Sequence, residues 1–128
     1  MRKFLSVLAG AVVAVGVMLV LEALGHTMNP AAPRAGGAVD VAAMDAPAKL
    51  MVVVGWFLGT FAGALTALRV SNWPGAAWIV GALVLAGAIA NLVLILHPFW
   101  MQTAALLLPA LAVLVALRLH RRRRAVVA

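Results

Sequence analysis

Three residues in this chain combine types and spacing that could do chemistry. Glu22 and His26 stand four apart, which in a helix puts them on one face about one turn from each other. His97 lies far along the chain, directly before Pro98. One carboxylate and two imidazoles match the ligand types of a catalytic zinc site with water as fourth ligand. The helix-borne H-E-x-x-H pattern that would strengthen that reading is missing. Two histidines from different helices could also ligate a haem iron, although both lie close to helix ends. Glu22 with His26 could instead relay protons, since imidazole titrates near neutrality. The plainer alternative pairs Glu22 with His26, Arg34 or Lys49 and leaves His97 at a helix end beside water.

Little else offers reactivity. Cysteine is absent, which excludes disulfides, thiolate metal sites, iron–sulfur clusters and cysteine nucleophiles. The hydroxyl residues are Ser6, Thr27, Thr60, Thr66, Ser71 and Thr103, and neither serine sits in a G-x-S-x-G context. No Gly-rich phosphate loop follows a strand. No catalytic residue and no cofactor are therefore expected, and a metal at Glu22, His26 and His97 is left open. The plain pairing of these side chains is favoured over proton or ion handling, and that over metal or haem.

The elements that must position these residues follow from hydropathy. Of 128 residues, 66% are hydrophobic and 10% charged, and the mean hydropathy is +1.14. A single small globule cannot hide so much apolar surface from water, so a bilayer has to solvate most of it. Four uncharged apolar runs stand at 4–21, 50–68, 76–96 and 98–117. Each approaches the roughly 20 residues that span a hydrocarbon core of ~30 Å as a helix. No alternation of apolar and polar residues suggests spanning strands. The predicted fold is an all-α membrane protein, a single domain of four transmembrane helices at about 4–24, 50–69, 76–96 and 98–118 in an antiparallel bundle. The first run resembles a signal peptide in following Arg2 and Lys3. It is expected to be retained, because it exceeds the usual apolar length and lacks a small-x-small site directly after it.

Basic residues orient the bundle. Arg2, Lys3, Arg69, Arg118, Arg121, Arg122, Arg123 and Arg124 all fall on one side of a four-span chain, and only Arg34 and Lys49 on the other. The positive-inside rule makes the arginine-rich side cytoplasmic, with both termini there (N-in, C-in). The external loop, 25–48, carries Pro30, Pro33, Pro47 and the Gly36-Gly37 pair, with room for one short turn from Asp40 to Met44. The cytoplasmic tail, 118–128, would hold anionic lipid headgroups through Arg118, Arg121, Arg122, Arg123 and Arg124, each worth about 1 kcal/mol near a charged surface. No aromatic interleaving supports nucleic acid as a partner. Trp73, Trp78 and Trp100 read as interfacial anchors, with Trp56 deeper. Asn91, six residues before His97, is expected on a different face. Pro109 should kink helix four.

Gly55, Gly59 and Gly63 recur at four-residue spacing on helix two. A face without side chains lets a second backbone approach closely, either inside the bundle or between protomers. Helix three offers a weaker counterpart in Gly81 and Ala88. Further short patterns are Gly59-Thr60 with Gly63-Ala64, Gly87 with Asn91, Pro98 with Trp100, and the proline-bearing loop with Asp40. In these the chain resembles a group of small uncharacterised bacterial four-helix inner-membrane proteins. The resemblance implies a bacterial inner (plasma) membrane location and brings no established activity with it. The leading expectation is a structural or interaction role: a glycine-zipper oligomer or an accessory subunit of a larger membrane complex. Its alternatives are a small channel or transporter using Glu22 and His26, and a metal- or haem-binding membrane protein.

Overall fold

A computed structural model describes residues 1–28, 34–35, 38–39, 41 and 44–127. Four helices dominate: α1, Arg2–Met28; α2, Ala46–Ser71; α3, Pro74–Leu94; and α4, Phe99–Val127. Each is long and apolar enough to cross a membrane. Between α1 and α2 a two-residue antiparallel ladder pairs β1 (Arg34–Ala35) with β2 (Ala38–Val39), a feature absent from the all-helical expectation. Of the expected turn at Asp40 to Met44, the described part is a hydrogen bond from Met44 N–H to the Val41 carbonyl, 3.3 Å. Asp40 lies outside the described residues.

Helix ends are set by local chemistry. Asp45 occupies the N-cap of α2 in extended conformation, and Pro47 follows in the first turn, where a missing N–H costs nothing. At the other end Asn72 adopts the left-handed conformation (φ 53°) and donates its N–H to Leu68 O. Asparagine tolerates that conformation better than most residues, so it stops the helix. Pro74 then starts α3 almost at once.

Two boundaries differ from expectation. Helix α3 ends at Leu94, because Ile95 turns extended (φ −129°, ψ 129°); His97, preceding a proline, is also disfavoured from helical conformation. Helix α4 continues through Val127, so the supposed tail from Arg118 is helical. Arginine and alanine are good helix formers. At ~1.5 Å per residue, α4 is about 43 Å long, so its last turns outrun a hydrocarbon core of ~30 Å.

Helix α2 packs on all three other helices, whereas among the described residues the α1 and α4 backbones do not come close. One end of the bundle gathers the basic residues. There Arg2 Nε donates to Val70 O (2.8 Å), Lys3 Nζ lies 5.0 Å from the Trp73 ring centre, and His120 Nε2 meets Asn72 Oδ1 at 3.2 Å. The opposite end carries the loop. Large apolar side chains such as Phe4, Leu8, Val12, Leu19, Val93 and Leu94 point outward, a surface consistent with helices that cross a bilayer.

Candidate functional site

The glycines of α2 face α1. A Cβ on Gly63 would collide with the Gly10 carbonyl and lie 2.8 Å from Ala14 Cβ; one on Gly59 would lie 2.8 Å from Ala14 O. Gly55 is looser, with Leu21 Cβ at 3.6 Å. The two backbones thus meet at Gly10, Ala14 and Met18 on α1, three positions at four-residue spacing that mirror the spacing on α2. The face is consumed within the bundle and is not free for a second copy. Gly81 similarly admits Val113 of α4, and Ala88 joins a buried cluster with Trp56, Met101 and Ala105.

Near the basic end α3 also closes on α1. A Cβ on Gly10 would stand 2.9 Å from Val80 Cγ2, and Ala14, Ala67, Ala76 and Val80 form one buried cluster. Beyond that contact α1 and α3 part. The resulting cleft of about 320 Å³ is walled by Ala11, Val15 and Leu19 on one side and Leu83 and Gly87 on the other, with Trp56 of α2 also lining it. Nothing would meet a Cβ on Gly87 within 4 Å, so its missing side chain leaves the cleft open. The lining is apolar until it reaches Glu22 and Asn91 at the loop end.

Those two residues also line a second, smaller cavity of about 70 Å³, together with His26, His97, Val41 and Met44. Glu22, His26 and His97 therefore share one chamber. They do not form a metal set: among the described residues no group of three His, Cys, Asp or Glu could hold an ion. Glu22 Oε1 and His26 Nε2 stand 3.8 Å apart with side chains 55% and 34% exposed, respectively, a separation too long for a hydrogen bond. The Arg34 side chain lies outside the described residues. His97 is only 8% exposed. Its Nδ1 lies 2.7 Å from the Ile95 carbonyl, which can only accept, so Nδ1 carries the proton and a neutral ring keeps Nε2 as an acceptor. Gln102 Nε2 donates to His97 O (2.8 Å), and the Trp56 ring packs at 6.1 Å, tilted 50°.

Asn91 corrects the sequence reading. It lines the same chamber as His97, because α3 stops at Leu94 and the chain folds back, so helical spacing no longer relates the two. Its Oδ1 is buried and has no hydrogen-bond partner. By contrast Thr60 and Ser6, both fully buried, satisfy themselves on Trp56 O (2.6 Å) and Lys3 O (2.7 Å). Trp56 and Gly87 were also not singled out for this site. Pro98 disfavours helix only at His97, so the sequence carries no signal that α3 stops as early as Leu94.

At the basic end Arg118, Arg121, Arg122 and Arg123 are exposed on the extended α4, and Arg124 continues its backbone. Trp78 and Trp100 are each 46% exposed on the outer surface. No protein-family model matches the chain, and no curated protein or solved structure matches it either.

Proposed function

We propose that the protein is a small multi-pass protein of the bacterial inner membrane, with both termini cytoplasmic, that acts by binding and not by conducting or converting. Its interaction surface is the cleft between α1 and α3 with the polar chamber at its end. The role stays structural or accessory, as the sparse polar chemistry suggests, but association moves away from the glycine face, which α1 already covers. The arginines of α4 contact anionic headgroups on the cytoplasmic side.

The observation that carries this reading is the shape of the cleft. It opens laterally, ends on Glu22 and Asn91, and is closed toward the basic end by the contact of Gly10 with Val80. A proton path would have to continue from Glu22 across that closed half. Of the described residues lining the cleft, none beyond Glu22 is ionisable. Binding therefore fits better than flux, and wild-type protein in proteoliposomes is expected to pass protons no faster than empty vesicles.

The direct test places a photo-crosslinking amino acid at Leu83, in the cleft, or at Leu114, on α4 outside it. The two positions are 52% and 43% exposed, so bulk lipid reaches them about equally. Irradiation in native membranes should give a discrete adduct from position 83 and diffuse lipid labelling from 114. Indistinguishable products from both positions would overturn the assignment.

A further inference from the structure

The chemistry of the cleft and its polar end specifies an occupant, and this step rests on the cleft being the binding surface. We infer that it takes a cationic amphipath: an unbranched apolar chain that carries a primary ammonium at its end, entering sideways from the outer leaflet. From Ala11 to Glu22 the cleft follows eleven residues of α1, which at ~1.5 Å each is about 16 Å. That matches half of a hydrocarbon core of ~30 Å, one leaflet's depth. The volume of about 320 Å³ lies at the lower end of the ~300–1,000 Å³ typical of ligand sites, as suits a single chain. Val15, Leu19, Leu83, Val84 and the Trp56 ring supply an apolar wall throughout.

The head is defined by what awaits it. Glu22 offers a carboxylate that its neighbour His26, at 3.8 Å, does not hydrogen-bond. Asn91 Oδ1 is buried without a donor. The chamber beyond adds His97, whose Nδ1 is engaged by the Ile95 carbonyl and whose Nε2 is an acceptor in the neutral ring form. Neither lysine nor arginine is among the described residues lining the cleft or the chamber. His26 stands at ion-pair distance from Glu22 without hydrogen-bonding it, so the carboxylate and the unpaired Asn91 oxygen together favour a positively charged head that donates. A primary ammonium has three N–H donors, enough to bond Glu22 and, once the Asn91 side chain turns toward the cleft, its Oδ1 as well. A quaternary ammonium brings the charge but leaves Asn91 unpaired. A carboxylate or phosphate head would face Glu22 as a like charge.

The test is native mass spectrometry of the detergent-solubilised full chain with dodecylamine, dodecyltrimethylammonium or dodecanoate at equal concentration. Dodecylamine should be retained at least tenfold more than dodecanoate and several-fold more than the quaternary amine. Asn91→Leu and Glu22→Gln should each cut dodecylamine retention about tenfold, whereas Asn91→Asp, which adds a second carboxylate, should keep or raise it. Circular dichroism reports whether each variant retains its helices. Equal retention of all three heads, or retention unaffected by Asn91→Leu and Glu22→Gln in folded protein, would overturn the ammonium assignment while leaving the cleft itself standing. Absence of a discrete crosslink from position 83 in the otherwise wild-type chain is the separate result that would remove the cleft as well.

Discussion

The two halves of the bundle solve the same packing problem in opposite ways. At the basic half the facing residues are Gly10, Ala14, Gly63, Ala67, Ala76 and Ala77, and backbones come together until carbonyls and Cβ atoms nearly touch. In lipid, where burial from water offers little drive, that density of dispersion contacts is what holds helices together. At the loop half Trp56, Met101, Val41 and Met44 share the interior with Ala48, Ala88 and Ala105, and between α1 and α3 Gly87 leaves a gap unfilled. Buried polar groups divide along the same line. Ser6 and Thr60 bond to their own helix, whereas Asn91 Oδ1 is left with nothing. A closed half and an open half in one small protein indicate where rigidity resides and where a ligand can enter.

The comparison can be broken most forcefully at its closed half. Gly63→Leu drives a side chain into the Gly10 carbonyl and Ala14. Because these are backbone and Cβ atoms that cannot rotate away, the loss should reach or exceed the ~3 kcal/mol upper end of overpacking costs. Thermal unfolding in detergent should show it as a large fall in Tm or as failure to recover folded protein. A Tm within a few degrees of wild type would mean the close approach of α1 and α2 is not what holds the bundle.

A smaller effect of opposite sign is expected at the open half. Asn91→Leu removes a buried acceptor that has no donor, a defect that costs about 1–3 kcal/mol while it stays unpaired. The variant should therefore be more stable than wild type by about 1 kcal/mol in the same melts, while losing amine binding. Such a trade is what a functional position shows when binding requires an unsatisfied group. Reduced stability in ligand-free protein would place Asn91 among ordinary structural residues.

The smallest effect on stability sharpens the contrast between glycines. A Cβ at Gly87 would meet nothing within 4 Å, so Gly87→Leu should unfold within roughly 0.5 kcal/mol of wild type, as for surface changes generally. The same leucine fills the cleft, and the discrete crosslink from position 83 should disappear. Gly63 and Gly87 would then differ as a structural glycine and a space-keeping one.

Much of this was legible in the chain. The four helices appear almost where hydropathy places them, and the turn at Asn72 to Pro74 is as tight as its residues suggest. Glu22, His26 and His97 were named from type and spacing, and they do line one chamber. A helix through residue 96 would put Asn91 and His97 on different faces, and two residues of boundary are enough to turn a side chain to another face. Helix ends are weakly specified when the residues beyond them are as apolar as the helix itself, as Ile95 and Leu96 are. The helical extension of α4 was missed for a related reason: charge reveals where a span leaves hydrocarbon, but not where its backbone stops being helical.

Number, length and character of the spans are properties of the chain read in one dimension. A helix in lipid satisfies its own backbone and needs no partner to be recognised. Which faces meet is a different kind of fact. The stripe of Gly55, Gly59 and Gly63 announces close approach by some backbone, and nothing in its spacing distinguishes α1 of the same molecule from another copy. Only the packed bundle gives that face to α1, parts α1 from α3 above Val80, and sets Glu22 and Asn91 at one opening. Those outcomes depend on four helices competing at once for a limited set of small-residue surfaces, so they belong to the tertiary structure.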